Sequence, residues 1–119
     1  MLNLDTHILI HALDGGLTPR ERQLLASNRW GISAIVLWEL TKLRQLGRIA
    51  VDINTAEFAT VLSRITVWPI DLSVCRRIPD LDFRGDAADE IIAATGLVHN
   101  APLLTRDRRL RSSRPVVLA

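Results

Sequence analysis

Short apolar runs alternate with capped, helix-forming segments along this chain, and that alternation limits the possible folds more than any other feature. Residues 1–5 read as a short buried strand, followed by a helix over 6–13 that ends at Asp14-Gly15-Gly16. In "TPRE", Thr18 is an N-cap, Pro19 takes the first helical position and Glu21 follows three residues after the cap, so a second helix runs to Ser27. "RWGIS" is a strand, and Ser33 caps a helix that carries Glu39 and stops near Gly47. "NTAE" repeats the capping arrangement at Asn54 and Glu57, "ITVWPI" reads as a strand, and Asp71 caps a short helix. Gly85-Asp86 opens a longer helix over 86–99, after which "APLLT" and "PVVL" read as strands. Strands separated by helices call for a parallel sheet covered on both faces. An open sheet of that kind places its site at the carboxyl ends of the strands.

The chain's 119 residues suit a single domain over 1–119, large enough to bury a core. Hydrophobic residues make up 48% and mean hydropathy is +0.17, which excludes a disordered chain. The formal net charge is +2, and nearly all the positive charge is arginine, Lys42 being the only lysine. Arginine suits bidentate phosphate contacts, although a high-GC genome produces the same bias without any function attached. Cys75 stands alone, which excludes disulfide frameworks and cysteine-based zinc sites. No basic leader or small-residue cleavage site marks the N-terminus, and no apolar run reaches the ~18 residues of a membrane span, so a cytoplasmic protein is expected.

Two charges sit oddly in apolar surroundings. Asp5 interrupts "MLNLDTHILI" and Glu39 ends "AIVLWEL". A carboxylate taken out of water costs several kcal/mol unless something pairs with it. In a parallel sheet Asp5 and Asp107 emerge at the same edge, and helices 33–47 and 86–99 can bring Glu39 and Asp89 over it. Carboxylates that crowd together repel, and some take up protons unless a cation balances them. All-oxygen ligation suits Mg2+ or Mn2+.

Each acid also has an ordinary reading. Asp5 can be a strand-end polar residue, and Glu39 can pair with Lys42 at i+3 on a solvated face. Asp86 fits an N-cap, Asp89 and Glu90 suit the positive end of a helix, and Asp107 in "TRDRR" can neutralise its neighbours. Joint placement decides, not any single residue.

At these residues the sequence resembles the PIN-domain ribonucleases, specifically the VapC toxin branch of type II toxin–antitoxin pairs, over essentially its whole length. The motifs, in order, are "LDTHILI", "ISAIVLWEL", "GDAADEIIAATG" and "PLLTRDRRL". The resemblance implies a three-layer α/β/α PIN fold with a central parallel sheet. It implies catalytic and metal-binding acids at Asp5, Glu39, Asp89 and Asp107, with Asp86 as cap or supporting acid. Thr6 and Thr105 match hydroxyl positions that orient carboxylates or hold water. The implied activity is Mg2+- or Mn2+-dependent hydrolysis of RNA phosphodiesters, leaving a 5′-phosphate and a 3′-hydroxyl. Asp5, Asp89 and Asp107 would hold the ion, and Glu39 a second ion or the attacking water. In two places the sequence departs from the family pattern. Asp86-Ala87 stands where many relatives have Asp-Pro, and Glu90 stands where a basic residue is common.

The resemblance also implies an RNA substrate, with transfer RNA a candidate, together with a cognate antitoxin and a homodimer. Arg106, Arg108 and Arg109, within "RDRRLRSSR", are expected RNA contacts, set against a solvated basic loop or an antitoxin-facing surface. Aromatic residues are only 4%, so base stacking is not expected to dominate, and Trp30, Trp38 and Trp68 read as core or dimer-interface residues. His7 and His11 share a helix face without the glutamate of a zinc-protease motif. A receiver domain lacks its strand-end lysine here, and a dehalogenase-type phosphatase lacks its Asp-x-Asp. The remaining alternatives are a non-catalytic PIN-fold interaction module and a non-toxin RNA-processing nuclease.

Overall fold

The computed structural model describes all residues from Met1 to Ala119. Four short strands, β1 (Leu2–Leu4), β2 (Trp30–Ser33), β3 (Thr66–Trp68) and β4 (Leu103–Leu104), form one sheet in the order β3-β2-β1-β4. Every pairing is parallel, with Asn3 opposite both Gly31 and Leu103. Seven helices surround it: α1 (Thr6–Asp14), α2 (Pro19–Ala26), α3 (Ala34–Gln45), α4 (Ala56–Leu62), α5 (Leu72–Arg77), α6 (Ala87–His99) and α7 (Arg108–Ser112). The expected α/β architecture is present.

The chain steps from β1 to β2 to β3 in one direction, then crosses back to place β4 on the other side of β1. Loops leaving β1 and β4 therefore diverge, which opens a crevice at their carboxyl ends. Asp5 and the segment Thr105–Asp107 leave the sheet at that crevice.

The elements end where local chemistry ends them. Thr18 and Glu21 form a reciprocal capping box, and Gly15 closes α1 at φ +85°. Ser33, Asp71 and Asp86 cap α3, α5 and α6. At α4 the cap is Thr55 and not Asn54: its hydroxyl accepts the Phe58 N–H at 3.1 Å, while the Asn54 N–H turns back to Asp52. "PVVL" forms no full strand. It adds a single parallel bridge, Leu118 to Leu103, along the outer edge of β4.

The core is packed by Leu4, Ile8, Leu9, Ile32, Val36, Leu40, Ile92 and Leu110, all fully buried. One buried polar contact ties sheet to helix: the Asn3 amide donates to the carbonyl of Ile92 in α6 at 3.0 Å. Gly31 has a steric role, because a Cβ there would meet the Trp68 ring at 2.3 Å. The indole of Trp68 lies against β2 and stacks on His99 with centroids 4.8 Å apart. Trp68 is buried and Trp30 is half-buried, donating to the Leu25 carbonyl, but Trp38 is 55% exposed and so belongs to no core. No helix is long and apolar enough to cross a membrane.

Candidate active site

Asp5 ends β1 and caps α1. Its Oδ1 accepts the Thr6 N–H at 2.8 Å and its Oδ2 accepts the Thr105 hydroxyl at 2.6 Å, in surroundings that leave the residue only 5% exposed. Burial pushes its carboxyl above the ordinary range. The hydrogen bonds from Thr105 and Thr6 oppose this shift, and the charge of Asp107 adds to it.

Thr6 and Thr105 each serve two acids. The Thr6 hydroxyl donates to Glu39 while its N–H donates to Asp5. The Thr105 hydroxyl donates to Asp5 and accepts the Asp107 N–H at 3.0 Å. The charge at the end of "AIVLWEL" thus turns inward to Thr6. Lys42, its alternative partner, reaches Gln45 at 3.2 Å. Burial raises the Glu39 carboxyl first, Thr6 holds it down, and Asp5 and Asp86 raise it further.

Asp89, in the first turn of α6, carries the largest perturbation. Partial burial, followed by the charges of Asp5, Asp107, Asp86 and Glu39, lifts its carboxyl from 3.8 to about 7. All of those influences act in one direction. Five acids, from the ends of β1 and β4 and from α3 and α6, therefore share one electrostatic neighbourhood. Asp107 is exposed and caps α7 through the Leu110 N–H at 3.1 Å, and so does not simply neutralise neighbouring arginines. Asp86 caps α6 through Ala88 at 2.8 Å. Glu90 takes the Gly85 N–H at 3.1 Å.

The donors at this cluster are carboxylate oxygens and hydroxyls, the chemistry of a hard cation. No three of the chain's His, Cys, Asp and Glu side chains stand as a ready ligand set around one point. Mg2+ does not need such a cage. It keeps several waters and is commonly held by one or two carboxylates together with substrate phosphate. Carboxylate and hydroxyl oxygens are the donors such an ion takes, and it would relieve the repulsion that raises the Asp89 carboxyl.

Arg106, an expected RNA contact, is exposed and paired with Glu21. Its Nε and Nη2 grip the two Glu21 oxygens at 2.9 and 2.6 Å, and Nη2 also reaches the Gly16 carbonyl at 2.8 Å. Glu21 is buried, and its bond from Arg106 holds the carboxyl down at about 2 against the cost of burial. From sequence, Glu21 shows only its capping role. The clasp depends on a partner 85 positions away, for which no local pattern exists. Arg111 is drawn to the Thr105 carbonyl at 3.2 Å, whereas Arg108 and Arg109 are exposed. Three clefts of about 340, 310 and 360 Å³ lie elsewhere on the molecule, and none is lined by any of these acids.

Comparison with known proteins bears on the family and the fold. The family model described as "PIN domain" matches residues 3–113. Ribonuclease VapC22 of Mycobacterium tuberculosis is 33% identical over 87 residues, 70% of this chain and 66% of that protein, just under two thirds of the relative's length. Among solved structures, a toxin–antitoxin complex from Klebsiella pneumoniae superimposes with a TM-score of 0.74 at 22% identity, covering 98% of this chain and 96% of the matched one. VapBC2 from Rickettsia felis, bound to a DNA fragment from its promoter, gives 0.73 at 21% identity, covering 100% and 98%. At those identities the likeness concerns the fold. With acids gathered at the carboxyl ends of β1 and β4 and the family match spanning nearly all residues, this chain belongs to the PIN-domain family.

Proposed function

We propose that this protein is a divalent-metal-dependent endoribonuclease and the toxin of a type II toxin–antitoxin pair. The observation that carries the reading is the hydrogen-bonded set at the sheet end, where the Thr105 hydroxyl donates to Asp5 and accepts the Asp107 N–H and the Thr6 hydroxyl donates to Glu39; the raised carboxyl of Asp89 agrees with it. Acids gathered at a sheet end suit a divalent ion, and an open face clear of the principal clefts suits a polymer. Asp5, Asp89 and Asp107 would hold Mg2+ or Mn2+ as carboxylate ligands. When bound, such an ion would neutralise charge on the attacked phosphate and acidify a water.

The chain's own residues prepare that chemistry. Thr105 fixes one oxygen of Asp5 and the backbone of Asp107, so strand end and helix cap move as one unit. Thr6 donates to one oxygen of Glu39, whose other oxygen would hold a second ion or orient the attacking water. Asp86 holds the start of α6, and with it Asp89, in position.

A toxin role is supported by the likeness to VapC22 and by the folds of the two toxin–antitoxin assemblies. A cognate antitoxin and a second copy of this chain are its proposed protein partners. Cellular RNA, transfer RNA included, is the proposed substrate, which places the activity in the cytoplasm. The test is cleavage of total bacterial RNA with and without Mg2+ or Mn2+, with product ends mapped. Metal-dependent cuts carrying 5′-phosphates, lost in Asp5→Asn, support the assignment. Cleavage that survives chelation or the Asp5→Asn change sinks it.

A further inference from the structure

Asp89 accepts no hydrogen bond from side chain or backbone, so its place at the site is set by where α6 starts. Asp107 stands on a different element, as the N-cap of α7. The only hydrogen bonds that join residues 81–99 to residues 105–119 are the two made by the carboxylate of Asp82. No ion pair spans the two segments.

Oδ1 of Asp82 accepts the Ser113 hydroxyl at 2.5 Å, and Oδ2 accepts the Arg114 N–H at 2.9 Å. The Arg114 bond first, and then the Ser113 bond, hold the Asp82 carboxyl below its ordinary range. Ser113 is the C-cap of α7 and is only 8% exposed. Leu81 and Phe83, on either side of Asp82, are half-buried against the core, which anchors the lead-in to α6. From Asp82 the path to the site is short. The Gly85 N–H is held by Glu90, Asp86 caps α6, and Asp89 lies in the first turn. On the other side, α7 (Arg108–Ser112) is pinned by the fully buried Leu110, so Asp107 and Ser113 stand at the two ends of one short element.

We propose that Asp82 is a positioning residue of the nuclease site: its clasp on Ser113 and Arg114 holds Asp89 and Asp107 at the separation from which both reach one divalent ion. This rests on the nuclease reading above. Thr105 ties Asp5 to Asp107, and Thr6 ties Asp5 to Glu39. Asp89 has no such tie of its own, and the Asp82 clasp supplies one through the start of α6. Asp82 is not a ligand, because its oxygens are turned to the end of α7 remote from Asp107. Loss of groups that orient ligand carboxylates typically costs 10–100-fold in metal affinity.

The test measures Mn2+ binding to the RNA-free chain by titration calorimetry, beside Mg2+-dependent cleavage of an RNA that the wild type cuts. The variants are Asp82→Ala, Asp82→Asn, Ser113→Ala and the Asp82→Ala/Ser113→Ala pair. Asp82→Ala weakens Mn2+ binding about tenfold and raises the Mg2+ needed for half-maximal cleavage by the same factor. KM for RNA at saturating Mg2+ is unchanged. Asp82→Asn recovers most of the affinity, because its amide oxygen accepts the Arg114 N–H and the Ser113 hydroxyl turns to accept from its amide nitrogen. Ser113→Ala shows a smaller loss, and the pair is no worse than Asp82→Ala alone, since both break one clasp. Asp80→Ala, which removes a nearby carboxylate paired with Arg77, leaves Mn2+ binding unchanged. An Asp82→Ala chain that is less stable in urea yet binds Mn2+ as tightly as wild type overturns the proposal and leaves the nuclease reading intact. Equal damage from Asp82→Asn and Asp82→Ala makes charge the cause and overturns it too. Should Asp82→Ala fail to fold, Ser113→Ala decides, and wild-type Mn2+ binding in that variant overturns the proposal. A wild-type chain that neither binds Mn2+ nor cuts RNA removes the nuclease reading, and this proposal with it.

Discussion

Thr105 donates its hydroxyl to Oδ2 of Asp5 at 2.6 Å, joining residues 100 positions apart at the crevice between β1 and β4. The Thr105 hydroxyl oxygen also accepts the Asp107 N–H, so one hydroxyl sets the spacing of two acids. Supporting groups of this kind fix how a carboxylate presents its free lone pairs, and their loss typically costs 10–100-fold in metal affinity or activity.

Thr105→Val keeps the shape and removes the hydroxyl. We expect it to lower metal-dependent cleavage by about 10–100-fold and stability by about 1–2 kcal/mol. Thr105→Ser should restore most of both. Cleavage rates beside urea denaturation separate the two effects, and equal activity in Val and Ser variants would remove Thr105 from the machinery.

The Glu21–Arg106 clasp makes a separate prediction in acid. Glu21 sits at about 2 in the folded chain against an ordinary 4.5. A depressed carboxyl stabilises the fold above 4.5 and loses that contribution as pH falls toward 2. Glu21→Gln should therefore flatten the acid limb of a stability–pH curve and lower stability at neutral pH. Arg106→Ala should cost about 1–3 kcal/mol, less than for a fully buried pair because the guanidinium is partly solvated. RNA affinity in an Arg106→Lys variant should be unchanged, since this arginine faces Glu21.

Asp89 acts with the opposite sign. Its carboxyl is raised from 3.8 to about 7, so the folded chain binds this proton more tightly than the unfolded one. The stabilisation is complete below 3.8 and is lost as pH rises to about 7. In the absence of divalent ions, thermal stability should fall across that window, and Asp89→Asn should flatten the fall and raise stability at pH 8. Mg2+ should stabilise the wild type more at pH 8 than at pH 5, because it competes with protons for the same oxygens. Scanning calorimetry over pH, with EDTA or Mg2+, measures both. A flat wild-type profile between pH 4 and 7 would contradict the convergence of acids.

Much of this arrangement was legible in the residue order. Caps at Thr18, Ser33, Asp71 and Asp86 are local chemistry, and alternating apolar runs lead to a parallel sheet. Asp5 and Glu39 were conspicuous because charge in an apolar run needs a reason. Other features depended on distant contacts. Arginines 106, 108, 109 and 111 are alike in sequence, and only folding decides which one meets Glu21 and which meets the Thr105 carbonyl. The "PVVL" segment has strand composition, yet it lies along the outer edge of β4 and makes only one bridge. Asn54 and Thr55 are both competent caps, and the Asp52 turn that claims Asn54 leaves Thr55 to α4.

The most direct measurement compares initial rates of RNA cleavage by wild type and Asp89→Asn across a Mg2+ titration. If the acids act together on one ion, the substitution lowers the rate about a hundredfold or more at saturating Mg2+, with the fold intact by circular dichroism. Matching rates and matching Mg2+ dependence in the two proteins would contradict a shared site at the ends of β1 and β4.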